Sequence, residues 1–463
     1  MKKLLLAAAA FGLGAAPASA LSIILSPDGS FGSTPNGSAA LFAFQKAANF
    51  WNTTLSNNVT LNFNVSFANL GNPNVIGQTS SNALTVSTRS VYGGLANNAL
   101  TANGGTALDA IAVQNLRPLS ALGGVGYRMP DSVTGPAGTG NGLGLETATR
   151  GSVFDNDDTY NNRFMSVNTA NAKVLGLSFD YGTDSYSGAA ADADITFNSG
   201  FSFDYDPTDG ISVGTQDFTA VAIHEMGHAL GFVSGADVYD FYGNPNGPGR
   251  TGPFGNTFDW DRGSVVTLGG QDVFVTPEVL TVLDLFRYSG NGGASGFDAT
   301  GKRYLQLDPN RSAFFSIDAV NPFNFNNLTT GEYANMATGR YNGDGQQASH
   351  WKDANGFFDA NNCFIAGQRQ IGIMDPTSGS CQLGLVTVND LGAFDAIGYN
   401  LKFDLLNNQG YTFSTAQVFA LPGVAAIPEP ATWLQLILGF GLLGAFARKA
   451  HQAKGPAAVA ARA

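Results

Sequence analysis

The sequence predicts an α+β fold, and three observations carry that prediction. An early amphipathic helix is followed at once by a strictly alternating strand, a central helix presents a dense apolar face, and long irregular stretches separate these elements without an internal repeat. Residues 38–56 (SAALFAFQKAANFWNTTLS) bring Leu41, Phe44, Ala47, Ala48 and Trp51 to one side at three- and four-residue steps, with Ser38 able to cap the start. Val59, Leu61, Phe63, Val65 and Phe67 then alternate with polar residues, the pattern of a half-buried strand. Residues 70–150 are rich in Gly and Asn, with a short helix expected over Ala107–Leu116. Further strands are expected at Lys173–Phe179 and Asp194–Phe203. The central helix follows: Thr215 can cap it, Asp217 suits its N-terminal dipole, Phe218, Val221 and Ala222 are apolar, and Gly231 stops it. Residues 233–345 read as an irregular insertion with a helical patch at Pro277–Tyr288, and Val388–Ile397 reads as a closing helix.

Composition narrows the function. The 463 residues are 44% apolar, include 34 Phe and can bury a substantial core. The net charge is −12, and the middle is more acidic still, because Lys2, Lys3, Arg448, Lys449, Lys454 and Arg462 all lie near the ends. Phosphate contacts would be repulsive for such a chain, so nucleic acid is excluded as a partner. The 59 glycines point to a turn-rich exported protein.

The ends agree. Residues 1–20 have the form of a secretory signal: Lys2 and Lys3, an apolar run from Leu4 to Gly14, and Ala18-Ser19-Ala20 as a cleavage site. Near the other end, Pro428, Glu429 and Pro430 precede an apolar stretch, 431–447, and then Arg448 and Lys449, a marginal membrane segment with a basic stop. Cys363 and Cys381 are the only cysteines, which suits one disulfide in an oxidising compartment rather than a soft metal site lacking further ligands nearby.

The chemistry is concentrated in His224-Glu225-Met226-Gly227-His228, an H-E-x-x-H sequence. On a helix, His224 and His228 share a face and can meet one Zn²⁺, while Glu225 lies beside the metal and can act as general base toward water. A catalytic zinc takes three protein ligands. His350 is the remaining histidine outside the tail, and Asp237 and Asp240, shortly after the helix, are the alternatives. Asp155-Asn156-Asp157-Asp158 and the run Asp204–Gly210 have a composition that calcium could use, but neither follows the EF-hand spacing, and solvated turns account for both.

At these residues the chain resembles a family. HEMGHALGF (His224–Phe232) looks like the extended metzincin motif, whose glycine, here Gly231, turns the chain toward the third ligand. That ligand usually follows three residues after the glycine; Ser234 stands there, and serine is not a credible replacement. The chain is instead similar to the leishmanolysin-type branch, in which a long insertion, here Phe232–Ser349, separates the turn from the third histidine. Ser349-His350-Trp351, the later Ile373-Met374-Asp375-Pro376 and a closing helix carry that similarity. The resemblance implies a metzincin-like catalytic domain over 21–425, with a twisted mixed sheet, the insertion at about 233–345 and a helix after the Met-turn. It also implies zinc on His224, His228 and His350, Glu225 as base and then proton donor, and Met374 as a floor beneath the histidines. The strand over 194–203 would be the substrate-aligning edge, able to take up a peptide by strand addition. Residues 426–463 resemble the PEP-CTERM sorting signal of Gram-negative bacteria. That signal implies transient inner-membrane association, processing by an exosortase, and release to the surface or extracellular matrix. The expected activity is hydrolysis of protein or peptide substrates; the alternative is a non-catalytic matrix or surface protein that keeps the fold and a structural zinc.

Overall fold

The computed structural model describes residues 21–423 apart from 101–103, 131–151, 186–187, 189, 244–245, 253, 255–257, 291–295, 325–332 and 368. The signal segment, Pro428-Glu429-Pro430 and the apolar stretch 431–447 lie outside the described residues. Among those described, no helix is long and apolar enough to cross a membrane.

The architecture is α+β, with helices and several small sheets around one contiguous apolar core. The principal sheet has four strands in the order β1 (Ser22–Pro27), β2 (Thr60–Ala68), β4 (Ala193–Asn198) and β3 (Gly77–Ser81). The first three run parallel and β3 runs antiparallel to β4. Helix α1 (Gly37–Thr54) makes the crossover from β1 to β2, as a parallel pair requires. It buries Phe44, Ala47, Ala48 and Trp51 of the expected face and leaves Leu41 half-buried, although its entry differs from expectation. Asn36 takes a left-handed conformation at the N-cap (φ 61°), and Ser38 already lies inside the helix. In β2 the alternation holds: Leu61, Phe63, Val65 and Phe67 are buried.

Aromatic contacts join these layers to the central helix α3 (Phe218–Ala229). The Phe44 ring meets Phe197 of β4 at 4.6 Å, and Phe197 stacks on Phe218 at 4.6 Å. Trp51 meets Phe394 of the closing helix α4 (Val388–Ala396) at 4.7 Å. The short helix α2 (Ala107–Gln114) packs on α4 and begins with a capping box, Thr106 with Asp109.

Three expectations need correction. Lys173–Phe179 is not a strand: Thr169–Val174 is helical and closes where the Gly176 and Leu177 amides bond back to Lys173 and Ala172. The small residues Ala170 and Ala172 are fully buried there, a fit for a short core helix. Asp194–Phe203 is not one strand: β4 stops at Asn198, whose side chain donates to the Asn72 and Val75 carbonyls and accepts from Gly200, forming a turn. Pro277–Tyr288 is not an extended helix: one 3₁₀ turn, Leu283–Phe286, leads directly into a strand, Arg287–Ser289.

The insertion is also less irregular than its sequence. Strands Asn335–Met336, Ala313–Phe315, Arg287–Ser289 and Leu305–Gln306 extend, in that order, a sheet completed by Tyr127–Pro130 and Ser152–Asp155. Leu305 and Gln306 pair in parallel with Tyr127 and Arg128, so the Gly/Asn-rich early segment and the insertion build one sheet together.

Candidate metal centre

Helix α3 begins where a buried carboxylate can hold it. Asp217, rather than Thr215, is the N-cap; its side chain accepts from the Ala220 amide at 3.0 Å. The same carboxylate accepts from the Gly384 amide at 3.1 Å, tying the helix start to the C-terminal part of the chain. Two turns later His224 and His228 project from one face.

His350 meets them from the far end of the insertion. The Nε2 atoms of His224 and His228 lie 3.1 Å apart, and each lies 3.2 Å from His350 Nε2. The opposite ring nitrogens are committed elsewhere: Nδ1 of His224 to the Ile373 carbonyl (2.8 Å), of His228 to the Phe232 carbonyl (2.8 Å), and of His350 to the Gln347 carbonyl (3.2 Å). Nδ1 must donate to these carbonyls, so a neutral ring carries its lone pair on Nε2. Burial, with mutual repulsion added at His228 and His350, holds all three rings below the usual imidazole range, His224 at about 4 and His228 at about 3. Three neutral rings therefore aim three lone pairs at one point. The nitrogens sit at nearly the separation, about 3.3 Å, of donors 2.0–2.1 Å from a tetrahedral centre. A cation of zinc type fits that donor set. Among the described residues this is the one His/Cys/Asp/Glu group arranged to hold a metal.

Two glycines let the helix fit. At Gly227 a Cβ would lie 2.4 Å from Met374 Sδ, so only glycine lets the fully buried Met374 press against the helix one residue before His228. Gly231 turns the chain out of the helix at φ 108°, where a Cβ would also strike the Asn171 side chain.

Glu225 is 6% exposed and is held from the sheet: the Thr79 hydroxyl of β3 lies 2.7 Å from Oε2 and 2.9 Å from the Glu225 carbonyl. Burial pushes the carboxyl up to about 7, and the Thr79 hydrogen bond draws it back. Strand β3, not the 194–203 segment, is the edge beside this carboxylate. Strand β4 lies inside the sheet with neighbours on both sides, so strand addition there is ruled out. Among the described residues nothing pairs with the outer edge of β3. The Asn198 amide bonds the Ile76 carbonyl and the Asn82 amide bonds the Asp192 carbonyl. By the alternation of an antiparallel ladder, Gly77, Thr79 and Ser81 then turn their amides and carbonyls outward.

The other acidic candidates lie apart from the three nitrogens. Asp237 accepts from the Ala348 amide (2.7 Å), the Ser349 amide (3.0 Å) and the Ser349 hydroxyl (2.5 Å). Asp240 accepts from the Tyr341 and Asn342 amides, each at 2.9 Å. The Ser234 hydroxyl donates to Asp284 at 2.6 Å. In the two acidic runs, Asp157, Asp204 and Asp206 accept from amides within their own turns, and Asp158 accepts from the Gly124 amide and the Ser120 hydroxyl of an earlier loop. Cys363 and Cys381 are disulfide-bonded, anchoring the hairpin Gly356–Phe358/Phe364–Ala366.

Sequence reasoning missed the supporting carboxylates. Asp390, in the first turn of α4, is fully buried and accepts from Trp351 Nε1 (2.8 Å) and the Ile373 (2.9 Å), Met374 (3.2 Å) and Thr387 (2.7 Å) amides. It joins the residue after His350 to the turn whose Ile373 carbonyl orients His224. The Thr387-x-x-Asp390 capping box was the available signal, but it reports only the helix start. No family model, no curated protein and no solved structure matches the chain.

Proposed function

We propose that the chain is an exported zinc metalloendopeptidase of metzincin type, closest in design to the leishmanolysin-like branch and sorted through a PEP-CTERM signal. The observation that carries this reading is the convergence of three ring nitrogens beside a buried glutamate. His224, His228 and His350 would hold the zinc, which when bound supplies a Lewis acid that acidifies water and polarises a carbonyl. Nδ1 hydrogen bonds to three backbone carbonyls keep the rings in the tautomer that leaves Nε2 free to ligate. Glu225 is the general base for the attacking water and then the proton donor to the leaving amine. Burial raises its carboxyl above the usual carboxylate range, which favours a group that can take up the proton and pass it on. Thr79 keeps it from rotating away.

The free edge of β3 supports a peptide as the substrate class. Its outward amides and carbonyls at Gly77, Thr79 and Ser81 run past Glu225, and an extended peptide would pair there with its own backbone. A non-catalytic zinc protein has no use for Glu225 or for a free edge beside it.

The test is hydrolysis of casein by the zinc-loaded chain and its Glu225→Ala variant. Wild type is expected to cleave, and the variant to lose roughly 10²–10⁴ in rate, the span of general-base catalysis, while keeping its zinc. An equally active variant would overturn the assignment of the base, and an inert zinc-loaded wild type would favour the matrix-protein reading.

A further inference from the structure

The three histidines are delivered by unequal means. His224 and His228 ride on one helix; the Ile373 carbonyl of a distant turn orients the first, and the Phe232 carbonyl, at the helix's own C-terminal turn, orients the second. His350 sits on a loop at the return of an excursion of more than a hundred residues. Its ring donates to the Gln347 carbonyl of that same loop, through the longest of the three bonds, while its own carbonyl accepts from the Ala337 amide at 3.0 Å. On the C-terminal side the Met374 carbonyl and Asp390 hold Trp351, so the remaining freedom lies in the residues ahead of His350.

We propose that Asp237 is the positioning residue for the third metal-binding histidine, locking the exit of the insertion onto its entrance. This rests on the zinc reading above. Asp237 lies in the turn Ala236–Val238, directly after the glycine turn at the end of α3, and its carboxylate takes three hydrogen bonds from residues 348 and 349. The Ser349 hydroxyl that donates to Asp237 also accepts from the Ser234 amide at 2.9 Å. Residues 234 and 237 thus hold residue 349 from two sides.

The peptide ahead of it is held as firmly. While Asp237 takes the Ala348 N–H, the Ala348 carbonyl accepts from Arg287 at 3.2 Å. Arg287 is itself fully buried, with Nε donating to the Gln306 carbonyl (2.9 Å) and Nη2 to the Ala337 carbonyl (2.8 Å). Both backbone groups of Ala348, and the amide and hydroxyl of Ser349, are therefore bound by elements outside the loop. Ser234, the residue where a short-spaced third ligand would stand, instead helps hold the loop that brings a distant one.

Cobalt(II) provides the test, because its d–d absorption reports the coordination geometry of the site independently of activity. The chelator-stripped full chain is titrated with Co²⁺ as wild type, Asp237→Asn, Ser349→Ala and Asp240→Asn, with near-UV circular dichroism establishing that each is folded. Asp240 is the control: it accepts from the Tyr341 and Asn342 amides of the same insertion but touches nothing from 347 to 350. Asp237→Asn sets an amide NH₂ against either the Ala348 amide or the Ser349 amide, depending on which way it lies. It is expected to weaken Co²⁺ binding by about 10- to 100-fold, the usual effect of removing a ligand's orienting partner, with altered d–d bands. Asp240→Asn is expected to bind as wild type does. Wild-type affinity and spectrum in folded Asp237→Asn would overturn the proposal, as would equal weakening in Asp240→Asn. If Asp237→Asn does not fold, Ser349→Ala decides: a loss of about threefold or more supports the clamp, and unchanged binding overturns it. A wild type that takes up no cobalt would instead overturn the metal reading, and the positioning role with it.

Discussion

Replacing Asp390 by Asn is expected to be among the most damaging single-atom changes available to this chain. One carboxylate oxygen faces Trp351 Nε1 and the Met374 amide; the other faces the Ile373 and Thr387 amides. All four partners are donors. Whichever way an asparagine amide lies, its NH₂ opposes two N–H groups in a site with no access to water. Each buried donor left without an acceptor costs about 1–3 kcal/mol, so the substitution should destabilise by roughly 2–6 kcal/mol. Set against a total of about 5–15 kcal/mol for a folded protein, that is a large fraction. The assay is urea unfolding at pH 7.5 followed by far-UV circular dichroism, with wild type and Asp390→Asn compared at equal zinc. A difference within about 0.5 kcal/mol, the range of ordinary surface changes, would refute the claim that Asp390 is the joint between residue 351 and the turn at 371–375.

Three further outcomes are expected. Gly231→Ala forces a side chain onto φ 108° and against Asn171; it should cost about 1–3 kcal/mol in backbone strain alone, read as a lowered urea midpoint, and an unchanged midpoint would contradict the geometry. Thr79→Val removes the hydroxyl that holds Glu225; a hydrogen bond to a charged group contributes about 1.5–3 kcal/mol, so kcat should fall roughly ten- to hundredfold with KM little changed. Burial first, then repulsion from Asp155, Asp157 and Asp259, raises Asp261 to about 8. A carboxyl raised in the folded state stabilises below its unfolded pKa, and that contribution is lost as pH rises through the folded value. The chelator-stripped protein should therefore lose stability between pH 6.5 and 9, above the range where the buried histidines titrate. Asp261→Asn should reduce that slope, with Glu225, raised to about 7, supplying part of what remains, and a midpoint that rises across this window would contradict the assignment.

What could be read from the chain follows the range of the interactions. The face of α1, the alternation in β2 and the start of α4 are written in residues three, four or two apart, and they emerge where expected. His224 and His228 belong to the same category, because one helical turn is enough to align them. The second sheet was hidden because its members are only two to four residues long, as at Leu305–Gln306, too short to show a period. The supporting groups were hidden by distance: Thr79 and Glu225 are separated by 146 positions, Asp237 and Ser349 by 112. The edge strand was misassigned for a related reason. The apolar alternation of Ala193–Phe197 marks burial, and a strand buried so well lies inside a sheet; the true edge, Gly77–Ser81, is polar and looks like loop.

The central claim is that three histidines from two distant segments form one metal site. The measurement that bears on it most directly is metal content by mass spectrometry for the purified chain and its His350→Ala variant. One zinc per chain in wild type, and loss of that zinc in the variant with the fold intact, is the expected result. A wild type without bound metal, or a variant that keeps all of it, would contradict the claim.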